Sequence, residues 1–330
     1  MPAAHPSQVL FAAQAAPRVL PVCDHYAGTE ALIRKSLALQ RELGPVFDVT
    51  ADCEDGAQVG REREHASMIG DVLASAENAH ARLGVRIHDP AHPAWHDEIE
   101  AVVRAGGERL AFVTIPKVDS HASVQRVVAA IDACAARASL RREIPVHALI
   151  ETHAGLRAVW EIAAHPRVEC VSFGTLDYVS GFDGAVPTSA MTSPGQFEHP
   201  IVRRAKAEIS VAAHTCAKVP SHGVCTDIDD PQAAGRDAAR ALAEFGFTRM
   251  WSIHPSQVRS IVAALTPAPE QVALAGEILL AARAADWGPI RHAGRLEDRA
   301  SYRFWWAVLR RARAAGAAMP AEVAQAFFDR

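Results

Sequence analysis

Short runs of apolar, largely β-branched residues alternate with longer amphipathic stretches from about residue 18 onward. The runs mark eight strand candidates: Val19 to Cys23, Val46 to Ala51, Leu83 to His88, Leu110 to Ile115, Ile144 to Ile150, Val168 to Phe173, Gly223 to Asp227 and Thr248 to Ile253. Helix signals fill the intervals. Ser120 is an N-cap for a helix whose Val124, Val127, Val128 and Ile131 share one face, since side chains three and four apart stack along a helix. Asp230-Pro231 sets a cap and a first-turn proline after the seventh run, and Gly246 ends that helix. Val258, Ile261, Val262 and Leu265 repeat the apolar face after the eighth. Strands that alternate with helices in this way predict βα units around a parallel sheet.

Polar residues decide how that sheet closes. Asp24-His25 follows the first run, Asp52, Glu54 and Asp55 the second, and Lys117 the fourth, while Arg86 and His88 end the third. Glu151 follows the fifth and Asp177 the sixth; Asp227, Asp229 and Asp230 mark the end of the seventh, and His254 the end of the eighth. An open doubly wound sheet concentrates its chemistry at one switch point, whereas a barrel collects it at the C-terminal end of every strand. The expected fold is therefore a (β/α)8 TIM barrel over residues 18–266, preceded by a flexible leader at 1–17. Pro267 and Pro269 open a C-terminal helical extension, 267–330, with helices over Glu270–Ala285 and Tyr302–Ala315. Its Trp287, Trp305 and Trp306 suit a lid or a subunit contact.

Composition narrows the partners. The 330 residues carry 34 Lys and Arg against 38 Asp and Glu, so a net charge of −4 gives no general attraction for nucleic acid or an anionic membrane. Cys23, Cys53, Cys134, Cys170, Cys216 and Cys225 form no C-x-x-C pair and read as reduced, buried side chains. The apolar start at Val9–Ala13 lacks the basic residues of a secretory signal, and no apolar stretch approaches the roughly 20 residues of a membrane span. A cytoplasmic protein is expected.

The chemistry-bearing residues come next. G-x-S-x-G, G-x-x-x-x-G-K-[ST] and H-E-x-x-H are all absent, which removes serine hydrolase, P-loop and zincin readings. His88, His92 and His96 have helix-like spacing, but Pro90 and Pro93 break the helix that would put them on one face. Glu151 and Asp177, at the ends of neighbouring barrel strands, can grip one side of a hard divalent cation and leave positions for water and substrate, which suits Mg²⁺. The alternative for each is an ordinary pairing with Arg or a backbone cap. Arg86 can bind a carboxylate in bidentate fashion, or pair internally with Asp52, Glu54 or Asp55. Lys117 invites a Schiff-base reading, against which the neighbouring carboxylates would keep it charged.

Six segments in order resemble one family. Asp52-Cys53-Glu54-Asp55-Gly56-Ala57 resembles a D-L-E-D-A segment, Val85-Arg86-Ile87-His88 a V-R-V-N segment, and Ile115-Pro116-Lys117-Val118 a P-K-V-E segment. Ile150-Glu151-Thr152-His153-Ala154-Gly155 is similar to I-E-T-x-x-G, Phe173-Gly174-Thr175-Leu176-Asp177 to F-G-x-x-D, and Ile253-His254-Pro255-Ser256-Gln257 to I-H-P-x-Q. Together they resemble the HpcH/HpaI aldolase and citrate lyase beta-subunit family, which includes malyl-CoA and citramalyl-CoA lyases, over about residues 19–302. The resemblance implies Mg²⁺ on Glu151 and Asp177, and catalytic roles for Arg86, Glu54 and Asp55. It implies substrate contacts from Arg86, the Gly174-Thr175 backbone and Asp177. It further implies a homo-oligomer, trimer or hexamer, that cleaves or forms a carbon–carbon bond in a small 2-oxo or 2-hydroxy acid, free or carried as a CoA thioester. Thioester hydrolysis at the same metal, and a non-catalytic regulatory barrel that binds metal and oxo acid, are the alternatives.

Two segments depart from the family pattern. Its opening R-S-x-L-F-x-P-G stands against Arg18-Val19-Leu20-Pro21-Val22-Cys23-Asp24-His25-Tyr26. Its late L-D-G-K-M-I-D falls on Leu296–Tyr302, which puts Tyr302 where the family's acid reaches into a neighbouring subunit, with Asp298 as a substitute. Arg295, Arg299 and Arg303 would form a basic stripe, either a solvated face or a contact for CoA phosphates.

Overall fold

The computed structural model describes residues 5–11 and 16–329. The chain divides into two compact units, Pro21–Leu265 and a second that combines the residues up to Leu20 with those from Thr266 onward.

The first unit is a closed barrel of eight parallel strands in sequential order. They are β1 Cys23–Ala27, β2 Phe47–Asp52, β3 Leu83–Arg86, β4 Leu110–Ile115, β5 Val146–Ile150, β6 Val168–Phe173, β7 Val219–His222 and β8 Arg249–Ser252. Counting α1 (Pro6–Val9) in the second unit, the helices around the barrel begin with α2 Glu30–Leu43, α3 Glu62–Ala74, α4 Trp95–Gly106 and α5 His121–Arg137. Then come α6 His153–Arg157, α7 Val159–Ala164, α8 Thr175–Ser180, α9 Gly195–Glu198, α10 Pro200–Thr215, α11 Ala233–Phe245 and α12 Pro255–Leu265. As the periodicity predicts, α5 starts on Ser120, whose hydroxyl accepts from the Ser123 amide, and buries Val124, Val127, Val128 and Ile131. The eightfold barrel is the fold expected from the strand-end polar residues.

Two strands sit four residues from their expected places. β1 runs Cys23–Ala27 rather than Val19–Cys23, and β7 runs Val219–His222 rather than Gly223–Asp227. Both true strands carry polar side chains into the interior, so neither stands out by apolarity. Asp24 and Asp48 share the fully buried Arg249, at 2.9 and 2.7 Å, Asp24 also accepts from the Thr50 hydroxyl, and His147 lies 3.1 Å from Glu169. Asp227 is consequently a loop residue that caps the Asp229 and Asp230 amides, and α11 begins at Ala233, two residues after Pro231.

The second unit has its own core. It contains α13 (Pro269–Ala284), the antiparallel pair β9 (Ile290–His292) and β10 (Arg295–Glu297), α14 (Arg299–Ala314) and α15 (Ala321–Phe327). Of the expected leader, residues 1–4 and 12–15 lie outside the described residues, while the described part is packed: Leu10 and Phe11 are buried with Leu279, Trp306 and Phe327. Trp306, Trp287 and Trp305 all belong to this cluster. Tyr302 is wholly buried in it and donates its hydroxyl to the Gly288 and Glu297 carbonyls, 2.8 and 3.0 Å away. Asp298 accepts from the Ala300 amide as the N-cap of α14. Neither is a free acid: one is a phenol with its proton committed, the other a cap. Arg299 and Arg303 both donate to the Leu10 carbonyl, at 3.1 and 2.7 Å, and Arg295 lies on β10, so the three do not form one helical stripe.

Among the described residues, no helix is long and apolar enough to cross a membrane.

Candidate active site

The C-terminal ends of the strands open into a cavity of about 390 Å³ lined by Asp52, Asp55, Arg86, Glu151, Gly174, Thr175 and Asp177, among others. Parallel strands deliver these side chains because each strand ends at the same rim and its alternate residues point inward.

Arg86 leaves β3 beside Asp52 at the end of β2, its partner in the ladder. Its Nε and Nη2 donate to the two Asp52 oxygens at 2.7 and 2.6 Å, while Nη1 lies 2.9 Å from Glu54 Oε2 and 3.8 Å from Asp55. The internal pairs thus engage all three guanidinium nitrogens, and a ligand carboxylate would share Nη1 with Glu54. Burial alone would weaken the Arg86 charge, but Asp52 more than offsets it and holds the guanidinium protonated. Burial likewise favours a neutral Asp52, and Arg86 with the Glu54 and Gly56 amides overturns that and keeps its carboxyl below the usual range. With its oxygens so occupied, Asp52 is a positioning group and not a base.

Lys117 follows β4 with a left-handed backbone at φ +48°, which turns its amide onto Glu151 Oε1 at 2.8 Å and sends its ammonium to Glu54 at 2.5 Å. Burial opposes that charge, Glu54 outweighs it, and the Lys117 pKa ends raised. Lys117 is thus an ion-paired ammonium, without the depressed pKa a Schiff-base nucleophile needs. Glu54, buried between Arg86 and Lys117, is nonetheless pushed upward by desolvation.

Glu151 directly follows β5, and Asp177 lies in the first turn of α8, just after β6. Burial first, then the negative charges of Asp177 and Glu54, push the Glu151 carboxyl up to about 8. Desolvated carboxylates that repel one another are what a bound divalent cation relieves. Gly174 makes room for this arrangement: a Cβ there would stand 2.4 Å from Glu151 Oε2. Among the described residues no group of three or more His, Cys, Asp or Glu could hold a metal, so a cation here would rest on two protein carboxylates and fill its shell with water and substrate oxygens.

The Gly174 amide, expected to meet a substrate carboxylate, instead donates to Ile150 at 3.0 Å, because the ladder between β5 and β6 continues one residue further. The hydroxyl of the next residue, Thr175, is buried and without a hydrogen-bond partner. The histidines of the Pro-rich loop form no metal site. His88 Nδ1 lies 2.5 Å from Glu98 and its ring stacks on His92, whereas His96 falls within α4.

Residue patterns missed the other side of the cavity. Tyr26, Leu32, Val224, Trp251 and Ile253 line it, contributed by β1, α2 and the segments at the ends of β7 and β8. Tyr26 was hidden by the misplaced first strand. With β1 ending at Ala27, the next residue is Gly28, where the chain passes Gly56 so closely that a Cβ would stand 1.8 Å from its carbonyl oxygen.

Comparison with known proteins agrees with this geometry. The family model for HpcH/HpaI aldolase/citrate lyase matches residues 47–255. The chain is 30% identical to an L-malyl-CoA/beta-methylmalyl-CoA lyase of Rhodobacter capsulatus, over 80% of this chain and 86% of that one. It is 52% identical to a citrate lyase of Burkholderia xenovorans LB400 whose crystal structure superposes with a TM-score of 0.86, covering 98% of this chain and all of that one. CitE of Mycobacterium tuberculosis, in complex with magnesium, acetoacetate and coenzyme A, shares the fold at 24% identity and a TM-score of 0.66, covering 91% of this chain and 98% of that one. The chain belongs to the HpcH/HpaI aldolase/citrate lyase family and is a carbon–carbon lyase.

Proposed function

We propose that the enzyme reversibly joins a small 2-oxo acid to an acyl-CoA thioester, with Mg²⁺ held by Glu151 and Asp177. The observation that carries this reading is a cavity in which four carboxylates, Glu151 and Asp177 among them, one guanidinium and one unpartnered threonine hydroxyl converge. Mg²⁺, when bound, polarises the carbon–oxygen bond of a chelating oxo or hydroxy acid and offsets the charge that develops there. Magnesium is present in the structure of CitE, and the malyl-CoA lyase relatives supply the thioester half of the proposal.

The chain's own residues do the rest. Arg86 Nη1 receives the substrate carboxylate, its plane already fixed by Asp52, so little orientation is lost on binding. Thr175 Oγ1 donates to the same carboxylate. Glu54 and Lys117 hold each other and, through the Lys117 amide, the Glu151 carboxylate. Asp55, with its side chain 65% exposed, takes the hydroxyl proton as the carbon–carbon bond breaks and passes it to the carbanion left on the acyl group, and both transfers run in reverse in the direction of synthesis.

Calorimetric titration with Mg²⁺ plus pyruvate, glyoxylate or oxaloacetate, followed by turnover of malyl-CoA and citramalyl-CoA, tests the proposal. Metal-dependent oxo-acid binding and release of an oxo acid from a thioester are expected. Binding that survives Glu151→Ala would overturn the metal assignment, and release of free CoA without oxo acid would replace the lyase by a thioester hydrolase.

A further inference from the structure

The lining of the cavity divides by strand. β2, β3, β5 and β6 and the residues just after them supply all of its charged side chains and its threonine hydroxyl, together with Phe173 and Leu176, whereas the contiguous arc β7–β8–β1, with α2, supplies no charged side chain: Val224, Trp251, Ile253, Tyr26 and Leu32 line it there. The apolar arc is preformed. Tyr26 and Trp251 lie with ring centroids 3.9 Å apart and pack on the fully buried Leu149, and the Arg86 guanidinium stands 5.3 Å from the Tyr26 centroid. The indole N–H of Trp251 donates to Ser172 at 3.3 Å, so it offers no donor to a ligand. Ile253 and Leu32 keep 41% and 45% of their surfaces exposed beside it.

We propose that this arc, with Tyr26, Trp251 and Ile253 as its specificity-determining residues, receives a hydrocarbon substituent of two or more carbons next to the bond that is cleaved. The inference rests on the lyase reading above and refines it. A carboxylate placed on this side would meet no cationic side chain of the arc, while each methylene buried there gains free energy. The substituent can belong to the oxo acid or to the acyl group, and the two sources are separable by experiment.

Condensation kinetics are measured with pyruvate, 2-oxobutyrate and 2-oxovalerate against one thioester, and with acetyl-, propionyl- and butyryl-CoA against one oxo acid. In the series whose substituent meets the arc, kcat/KM is expected to rise about fourfold per added methylene, the equivalent of about 0.8 kcal/mol per buried CH₂. Ile253→Ser, at a half-exposed position that the fold tolerates, is expected to flatten that rise, and Trp251→Ala to extend it to longer chains. A fall in kcat/KM from the smallest member onward in both series, or a rise that Ile253→Ser leaves unchanged, would overturn the specificity assignment and leave the lyase reading intact. Absence of condensation with every pair would overturn both.

Discussion

At the residue scale, the site is governed by who already holds whom. Glu151 has one oxygen on the Lys117 amide and the other beside Gly174, so its carboxylate is placed before any ligand arrives. Glu151→Gln keeps the shape and removes the charge; Mg²⁺ affinity measured by calorimetry is expected to fall by about 100-fold or more, since even outer-shell changes cost about 10- to 100-fold. Gly174→Ala should produce much of the same loss by displacing Glu151, with the circular dichroism spectrum unchanged. Asp52→Asn removes the bidentate partner of the buried Arg86, leaving Glu54 as its nearest counter-charge, and is expected to destabilise by about 1.5–3 kcal/mol in urea unfolding at neutral pH. The sign with pH follows from the depressed Asp52 pKa. Its stabilisation is complete above the ordinary carboxylate range and is lost as pH falls below about 4, so the gap between wild type and Asp52→Asn should narrow in acid.

At the scale of elements, the strands and helices differ in how visible they are. β4 and β6 fall on their apolar runs residue for residue, and α5 on its Ser120 cap, because most of the side chains they bury are apolar, with Thr114, Glu169 and Ser172 the polar exceptions in the strands. β1 and β7 were misplaced because the barrel interior there is filled by charge and hydroxyl: Asp24 on one, Ser221 and His222 on the other. Those side chains look like surface in a sequence and become core only when a partner from another strand neutralises them. Helix α14 shows the converse, where a residue with an apparent chemical role is structural. Asp298 accepts from the amides of its own first turn, and Asp298→Ala is expected to cost about 1 kcal/mol, read as a lower unfolding midpoint.

For the whole molecule, closure of the barrel depends on one cation. Arg249 on β8 reaches Asp24 on β1 and Asp48 on β2, and donates to the Pro21 carbonyl at 2.6 Å, so it spans the seam where the last strand meets the first. Arg249→Met would leave the buried Asp24 without a counter-ion and Asp48 with Arg82 alone. A loss of about 3–5 kcal/mol is expected in chemical denaturation, with magnesium and oxo-acid binding retained by the folded fraction. The sequence by itself determined the eightfold βα order, the strand-end set Arg86, Glu151 and Asp177, and the family, because those follow from local periodicity and contiguous motifs. Only the tertiary structure decided that Arg86 is anchored to Asp52, that the Gly174 amide is spent within the sheet, that Tyr302 is buried, and that the cavity has an apolar arc. Each of these joins residues far apart in the chain, and a buried polar group declares itself only through the partner that lets it stay buried.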